Sequence, residues 1–349
     1  MNTLIVGGGL SGLALAEAME AAGQEYLLVE ARARFGGRIK TALVGDGYFD
    51  LGPAWFWEGQ PRIAALVARL GLEVFGQYAS GALTFEDAQG QVQRGRGFSS
   101  MEGSLRINGG LGALTEQLAE ALPAARKRAG AAVVALERGA EGITARLSDG
   151  STIEAQRVVL ALPPRIATRI RFSPALPDAT TQAMEAVPTW MAGQAKAVAI
   201  YERAFWREAG QSGDATSRRG PMVEIHDASP ESGGPYALFG FVGVPPEGRR
   251  NLDVLRSHIC AQLGRLFGPS AAQPAQLIVK DWAADPFTAT DSDLAPLFAH
   301  PVYTLPATMR GLWEGNLHFA GTEVAPQFGG YAEGALEAAE AVLSVLPHD

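Results

Sequence analysis

The residues best placed to do chemistry are two glycine-rich turns at opposite ends of the chain, one acid and one lysine. Near the start, Thr3-Leu4-Ile5-Val6-Gly7-Gly8-Gly9-Leu10-Ser11-Gly12-Leu13 places Gly-x-Gly-x-x-Gly between a short apolar run and an Ala/Leu/Glu-rich one. A strand, turn and helix of this kind cradle an anion. Gly7 allows the tight turn, Gly9 lets the backbone at Leu10 and Ser11 approach a pyrophosphate, and Gly12 lets the helix pack on its strand with its positive end toward the phosphates. Glycine makes up 42 of the 349 residues, so the spacing alone is weak evidence and its surroundings decide. A second apolar run, Glu25-Tyr26-Leu27-Leu28-Val29, ends in Glu30-Ala31, eighteen residues beyond Gly12. That lies near the ~20 expected of an acid that accepts ribose hydroxyls, and it favours an adenosine with a free 2′-hydroxyl. Gly36-Gly37-Arg38 then forms a turn able to lay backbone N–H groups and one guanidinium against phosphate. A nicotinamide dehydrogenase has no need of that loop. At the far end, His318-Phe319-Ala320-Gly321-Thr322-Glu323 leads to Gly329-Gly330-Tyr331-Ala332-Glu333-Gly334-Ala335, again a β run, a glycine turn and a helix.

Two further stretches carry candidate groups. Lys196 lies among small apolar residues in 189–201, which reads as one long strand. A lysine there either snorkels from an edge strand or holds a specific partner. The run Tyr48-Phe49-Asp50-Leu51-Gly52-Pro53-Ala54-Trp55-Phe56-Trp57 is apolar and aromatic, broken by Gly-Pro. It is shaped either to lie along something flat or to bury a cluster of rings.

The elements that must position these groups follow from pattern and punctuation. A helix is expected over 61–70, opened by Pro61 and stopped by Gly71. Alternation over 76–103 around Asp87-Ala88-Gln89-Gly90 predicts a hairpin. A helix over 113–122 precedes a β-meander over 132–155, and the apolar run 158–162 reads as the buried strand that closes the sheet before Pro163-Pro164. Residues 211–220 are polar and glycine-rich and read as a mobile loop. A strand over 235–244, a helix over 252–267 with Cys260 in its core face, and a strand over 274–280 complete the middle of the chain. The net charge of −8 and a pI near 5.3, without a long basic cluster, argue against nucleic acid as a partner. A single cysteine suits a reducing compartment, and a strand starting at Thr3 with no apolar run near 18 residues predicts a cytoplasmic protein that engages no membrane.

Taken in order, Gly7-x-Gly9-x-x-Gly12, Glu30-Ala31 with Gly36-Gly37-Arg38, Asp50-Leu51-Gly52, Leu160-Ala161-Leu162-Pro163-Pro164, Trp282-x-x-Asp285-Pro286-Phe287, and the C-terminal Phe-Ala-Gly-Thr-Glu and Gly-Gly-Tyr-x-Glu-Gly-Ala resemble the flavin-containing amine oxidase family, which includes the monoamine and polyamine oxidases. The resemblance covers nearly the whole chain. It implies an α/β fold: a three-layer Rossmann-like FAD-binding domain (1–75, 104–187 and 284–349) interleaved with a smaller α+β substrate domain on a mixed sheet (76–103 and 188–283). The segment 76–103 is much shorter than its counterpart in monoamine oxidase, so a more open pocket is expected. The implied cofactor is FAD, with Gly52, Pro53, Ala54 and Trp55 along the isoalloxazine and Val133 meeting the adenine through its backbone. Trp282, Gly321, Thr322, Glu323, Gly330, Tyr331 and Ala332 complete the implied flavin site. Asp291 stands where covalently flavinylated members carry cysteine, so FAD should be held noncovalently.

For catalysis the resemblance assigns Lys196 a water beside flavin N5 and Tyr331 one of two rings flanking the substrate. The second ring falls at Ser292, which is not aromatic, so half of the pair is missing unless Trp55 or Phe287 substitutes. The implied reaction is hydride transfer from an amine or amino acid Cα–H to flavin N5, giving imine and then aldehyde or keto product, ammonia and hydrogen peroxide. A helix starting at Tyr331-Ala332 would stabilise negative charge near flavin N1. The alternatives are another donor on the same fold, such as a dihydronicotinamide in the manner of renalase, or a desaturase or dehydrogenase using an acceptor other than O2. A noncatalytic flavin-binding protein is the remote one. Expected partners are a small-molecule substrate and the electron acceptor, in a monomer or homodimer.

Overall fold

The computed structural model describes residues 1–295, 297 and 299–347. The chain begins with β1 (Thr3–Val6), α1 (Leu10–Ala21), β2 (Tyr26–Val29), the hairpin β3 (Thr41–Val44) and β4 (Gly47–Asp50), and α2 (Pro61–Arg69). It continues through β5 (Val74–Gly76), β6 (Ala82–Glu86), β7 (Val92–Arg94), β8 (Leu105–Ile107), α3 (Gly112–Ala121) and β9 (Lys127–Arg128). A meander follows, β10 (Val133–Arg138), β11 (Ile143–Leu147) and β12 (Thr152–Ala155), then β13 (Arg157–Leu160), α4 (Pro164–Ala167), β14 (Arg171–Ser173) and α5 (Asp178–Ala186). The rest comprises β15 (Ala195–Tyr201), α6 (Phe205–Glu208), β16 (Gln211–Ser217), β17 (Met222–Asp227), β18 (Tyr236–Val242), α7 (Leu252–Phe267), β19 (Gln276–Asp281), β20 (Leu317–Phe319) and α8 (Ala332–Leu343).

A parallel five-stranded sheet, ordered β20-β13-β1-β2-β9, forms the middle layer of a Rossmann-like unit. Its inner strands β13, β1 and β2 are mostly apolar because both faces are covered, and alternation assigns each residue its face, while the edge strand β9 is the pair Lys127–Arg128. Ile5, Leu28 and Val159 point to one core with Leu13 and Met19 of α1, Leu114 of α3 and Leu336 of α8. Leu4, Val6, Val29, Val158 and Leu160 point to the other, against Leu136, Ala145 and Ile153 of the second, four-stranded sheet β12-β11-β10-β14. The run ending at Leu160 therefore does not close the sheet. β13 lies inside it, with β20 outside, because the C-terminal segment returns to pair with Leu160.

A seven-stranded mixed sheet, β19-β15-β18-β17-β16-β6-β7, carries the remaining chemistry. α7 is capped at its start by Asn251, whose side chain accepts from Asp253 N and Val254 N, and packs Leu255, Ile259, Leu263 and Leu266 on one face of that sheet with Ala197, Ala199 and Tyr201. Val198 and Ile200 face the other way, onto Phe49 and Leu51 beside β4. The same parity turns Lys196 toward β4.

Two sequence expectations fail in this sheet. The segment 189–194 is a turn, not the start of β15: Met191 takes φ 61, and Ala192 N and Gln194 N bond back to Thr189 O and Met191 O. Residues 211–217 form the interior strand β16, not a mobile loop. Its polar side chains apart from Thr216 are buried, with Ser217 partnered by Glu86 and Asp214 by His226.

Candidate active site

The N-terminal turn is built so that only glycine fits at two points, and a third is left open. A Cβ on Gly7 (φ 110) would stand 2.5 Å from Ala161 O, and one on Gly12 would stand 1.9 Å from Gly7 O, so α1 lies directly on the turn. At Gly9, which precedes α1 with no capping side chain, the nearest atom to a Cβ would be Gly37 Cα at 3.9 Å. The protein itself does not need glycine there. It leaves space over the unpartnered first-turn N–H groups of α1. The second glycine loop docks alongside, with Gly36 N donating to Gly8 O at 2.7 Å. Arg34 fixes its shape by donating to Phe35 O, Ile39 O and Gly37 O.

Glu30 is buried at the end of β2. Its Oε2 accepts from Gly8 N at 2.7 Å and its Oε1 from Arg32 N at 2.9 Å, so the acid braces the turn while lining the cavity. Arg32 donates onward to Asp285 Oδ1 at 2.6 Å and Thr288 Oγ1 at 2.9 Å, and its guanidinium lies 5.4 Å from the Phe287 ring centroid. Phe287 is thereby held beside Arg32 and Glu30 in the wall of the cavity. Arg38 pairs with Glu323 at 2.6 Å, a fully buried carboxylate behind the cavity wall.

At the other end, Lys196 Nζ donates to Asp50 O at 3.1 Å and Gly52 O at 2.8 Å and lies 4.2 Å from the Phe239 ring centroid. Burial drives its pKa down to about 7, against the pull of Asp50 and with the push of Arg106. Burial also raises the Asp50 carboxyl, opposed by its bond from Thr41 and by the charges of Arg106 and Lys196. Lys196 is not an edge-strand lysine, because β15 is flanked by β18 and β19. Trp55 Nε1 donates to Gln77 Oε1 at 2.8 Å, and Trp282 Nε1 to Leu51 O at 2.9 Å, which hold both indoles at the wall.

The C-terminal turn meets this end from the opposite side. Thr322 Oγ1 accepts from Gly330 N at 3.0 Å and donates to Tyr331 O at 2.8 Å, and α8 starts at once with Ala332 in the wall. The Tyr331 ring is 38% exposed, stacks on His300 at 4.9 Å and meets Trp57 edge-on at 6.5 Å.

One cavity of about 390 Å³ joins all of this, lined from Gly7, Gly9, Leu10, Ser11 and Glu30 through Gly36, Gly37 and Arg38 to Gly52, Pro53, Ala54, Trp55, Lys196, Trp282, Gly321, Thr322, Gly330, Tyr331 and Ala332. Gly12, Ala31, Val133 and Glu323 stand off its wall. Gly12 is under the turn, Val133 is in the core of the meander, and Glu323 is behind Arg38. Ser292 lines a separate cavity of about 110 Å³, held on the far side of the 189–194 turn where neighbouring Asp293 binds Arg165. Trp190, Met191 and Gln194 line both cavities. Sequence reasoning missed these three, as well as Trp57, Gln60, Met101 and Phe241. Of these, only Trp57 carried a signal, in the aromatic run after Gly52. The residues fit a dinucleotide bearing a flat ring system: a cradle left clear at Gly9, a helix N-terminus, an acid at one end, and an apolar wall with one cation at the other.

A family model described as flavin containing amine oxidoreductase matches residues 77–343, and one described as an NAD(P)-binding Rossmann-like domain matches 5–70. A Dictyostelium discoideum protein described as flavin-containing monoamine oxidase A is 23% identical over 96% of this chain and 95% of its own length. A Mycobacterium tuberculosis protein described as a flavin-containing monoamine oxidase is 34% identical over 67% of this chain, a match spanning 50% of that protein. The solved structure of putrescine oxidase bound to putrescine superposes with a TM-score of 0.81 at 21% identity, covering 99% of this chain and 98% of that one. Cyclohexylamine oxidase from Brevibacterium oxydans gives a TM-score of 0.81 at 21% identity, covering 98% of both chains. These superpositions establish the fold.

Proposed function

The chain belongs to the flavin-containing amine oxidoreductase family, which makes it an oxidoreductase with FAD as its cofactor, and we propose that it oxidises a small amine in the cavity between Lys196 and Tyr331. The overall change is R–CH2–NH2 + O2 + H2O giving R–CHO + NH3 + H2O2. FAD, when bound, supplies the two-electron acceptor that takes the Cα hydride and passes the electrons to oxygen.

The protein's own groups have four tasks. The α1 N-terminus with the Gly36-Gly37 loop would hold the pyrophosphate, and Glu30 would accept from the ribose. The N-terminus of α8, at Ala332 in the cavity wall, would stabilise negative charge that develops on the flavin ring. Lys196, fixed by two carbonyls and close to its titration point near neutrality, holds a proton donor beside the reacting centre. Trp55, Trp57, Phe241 and Tyr331 exclude water and, by desolvation, favour the uncharged amine, the form that can release hydride. FAD is retained without a covalent link, and the units 1–75, 104–187 and 284–349 carry it while 76–103 and 188–283 face the substrate.

A single observation carries this reading. Turns more than three hundred residues apart, at Gly9 and Gly330, line one cavity with Lys196 in its wall. An anaerobic screen of amines, amino acids and dihydronicotinamides that monitors flavin bleaching tests it. Bleaching by small amines is the expected result. Bleaching by dihydronicotinamides alone would replace the reading with the other-donor alternative.

A further inference from the structure

A second polar cluster lies behind Trp55 and takes no part in the site so far described. His226 on β17 is 2% exposed, with Nδ1 at 2.9 Å from Asp214 Oδ1 and Nε2 at 2.9 Å from Glu224 Oε1. A neutral imidazole has one N–H and one lone pair, so it can satisfy only one of two ionised carboxylates. Two such acceptors at bonding distance require both nitrogens to donate, and the ring is an imidazolium. Burial pulls its pKa down, but the bonds and charges of Asp214 and Glu224 outweigh burial, and the net direction is up. Its bond to Glu224 in turn lowers that carboxyl.

Both carboxylates also hold one loop. Ser99 Oγ donates to Asp214 Oδ2 at 2.6 Å, and Ser100 Oγ donates to Glu224 Oε1. The next residue, Met101, is the one residue of 77–103 in the wall of the main cavity. The loop has no regular structure, and glycines with positive φ stand at its ends: Gly95 (70), Gly97 (140) and Gly103 (80). A Cβ on Gly95 or Gly103 would meet nothing within 4 Å, so these glycines serve the backbone angle and not close packing. Phe98 at its tip is 80% exposed, so little apolar burial holds the loop down. Its start is held to β6, where Gly95 N donates to Leu83 O at 2.9 Å and the Arg96 guanidinium lies 5.1 Å from the Phe85 ring centroid, and the two serine bonds attach the part beyond Gly97 to β16 and β17.

The other charges around His226 are fixed in pairs or lie beyond rings. Lys196 on β15 is on the other side of Trp55 and Phe239, both within 5.5 Å of its Nζ and of the imidazole centroid. Asp227, next on β17, is bound by Arg207 and Trp206, and Arg106 donates to Ala228 O and Ser229 O. None of them bonds the imidazole or offers a replacement for its proton.

We propose that His226, as an imidazolium, is the positioning residue that keeps the loop 95–103 closed over the substrate end of the cavity through Asp214–Ser99 and Glu224–Ser100, and that loss of its proton releases this lid. The part concerning substrate rests on the amine-oxidising reading above; the latch itself does not. When the ring is neutral, one carboxylate faces a lone pair and must turn away, taking its serine bond with it.

Hydrogen exchange of the FAD-bound protein over a pH series, corrected for the intrinsic rate, tests the latch without turnover. Residues 96–103 should lose protection as pH rises above the ordinary histidine range, the direction in which Asp214 and Glu224 move the ring, while β17 and β18 keep theirs. Ser99→Ala/Ser100→Ala, which leaves the buried charges intact, should exchange rapidly in this loop at every pH. His226→Gln should remove the pH dependence if it folds. Protection that is flat with pH in the unaltered protein, or equal in the double serine variant, would overturn the proposal. In steady-state assays with whichever donor bleaches the flavin, the double variant should raise KM roughly tenfold, the loss of two modest hydrogen bonds, with kcat little changed. A fall in kcat with unchanged KM would equally count against the lid. Failure of amines to bleach the flavin would strike the functional reading and leave the exchange result standing.

Discussion

Gly9→Ala separates the ligand from the fold more cleanly than any other single change. Gly9 has φ −76 and ψ −178, angles open to alanine, and the added methyl would find its nearest protein atom 3.9 Å away. The empty protein should therefore keep its stability to within about 0.5 kcal/mol, the ordinary range for a change that disturbs no contact. The methyl instead fills the space in which a pyrophosphate reaches the first turn of α1. Pushing the phosphate off one backbone N–H removes a charged hydrogen bond of about 1.5–3 kcal/mol, so FAD affinity should fall by about 10- to 150-fold. The assay pairs urea unfolding of apoprotein with an FAD titration followed by flavin fluorescence. Gly12→Ala supplies the contrast: its Cβ would stand 1.9 Å from Gly7 O, so it should unfold the apoprotein at markedly lower urea. If Gly9→Ala bound FAD within twofold of the unaltered chain, the pyrophosphate would not cross Gly9, and the cradle would have been misassigned.

Three further outcomes are expected. Lys196→Met should slow flavin reoxidation by O2 more than it weakens substrate binding; the folded lysine loses its proton near pH 7 and the unfolded one near 10.5, so its burial costs less as pH rises through that window, and the stability difference between variant and parent should fall from pH 7 to pH 10 in urea melts of apoprotein. A pH-independent difference would contradict the buried, weakened lysine. Glu30→Gln keeps an acceptor for only one of Gly8 N and Arg32 N and sets an NH2 against the other, so it should weaken FAD by about 1–2 kcal/mol in the same fluorescence titration and also lower the melting point of the apoprotein, and an unchanged affinity would mean that the ribose is held elsewhere. Tyr331→Ala removes a ring that is 38% exposed and should leave folding intact while lowering kcat/KM for amines at least tenfold, and an unchanged value would remove Tyr331 from the substrate site.

The sequence made the cofactor end legible because its constraints are local. A glycine that must adopt φ 110, or that underlies a helix at 1.9 Å, leaves a spacing that no other residue can imitate. Lys196 was legible for a similar reason, a charge in an otherwise apolar strand. The substrate end was not. Trp190 reaches the wall only because the chain reverses at Met191, and apolar alternation through 189–201 hides that reversal. β16 was misread for the opposite reason. Ser212, Asp214 and Ser217 look like solvent-facing residues, and only partners from β6, β17 and the 95–103 loop make them interior. Ser292 and Phe287 were placed by counting along a motif, whereas the Arg165–Asp293 and Arg32–Asp285 pairs decide where those segments lie. Long-range pairing of charges is invisible to spacing. The Glu224-x-His226 alternation on β17 was the one hint of the buried cluster, since residues two apart on a strand share a face.

The most direct test is an anaerobic titration of the FAD-bound protein with a small primary amine, read as loss of the visible flavin absorbance and paired with quantification of the aldehyde formed. One flavin reduced per amine consumed, with the colour restored on admitting air, is the expected result. A preparation that cannot be loaded with FAD, or a loaded one that no amine bleaches at any pH between 6 and 9, would contradict the assignment of this cavity to amine oxidation.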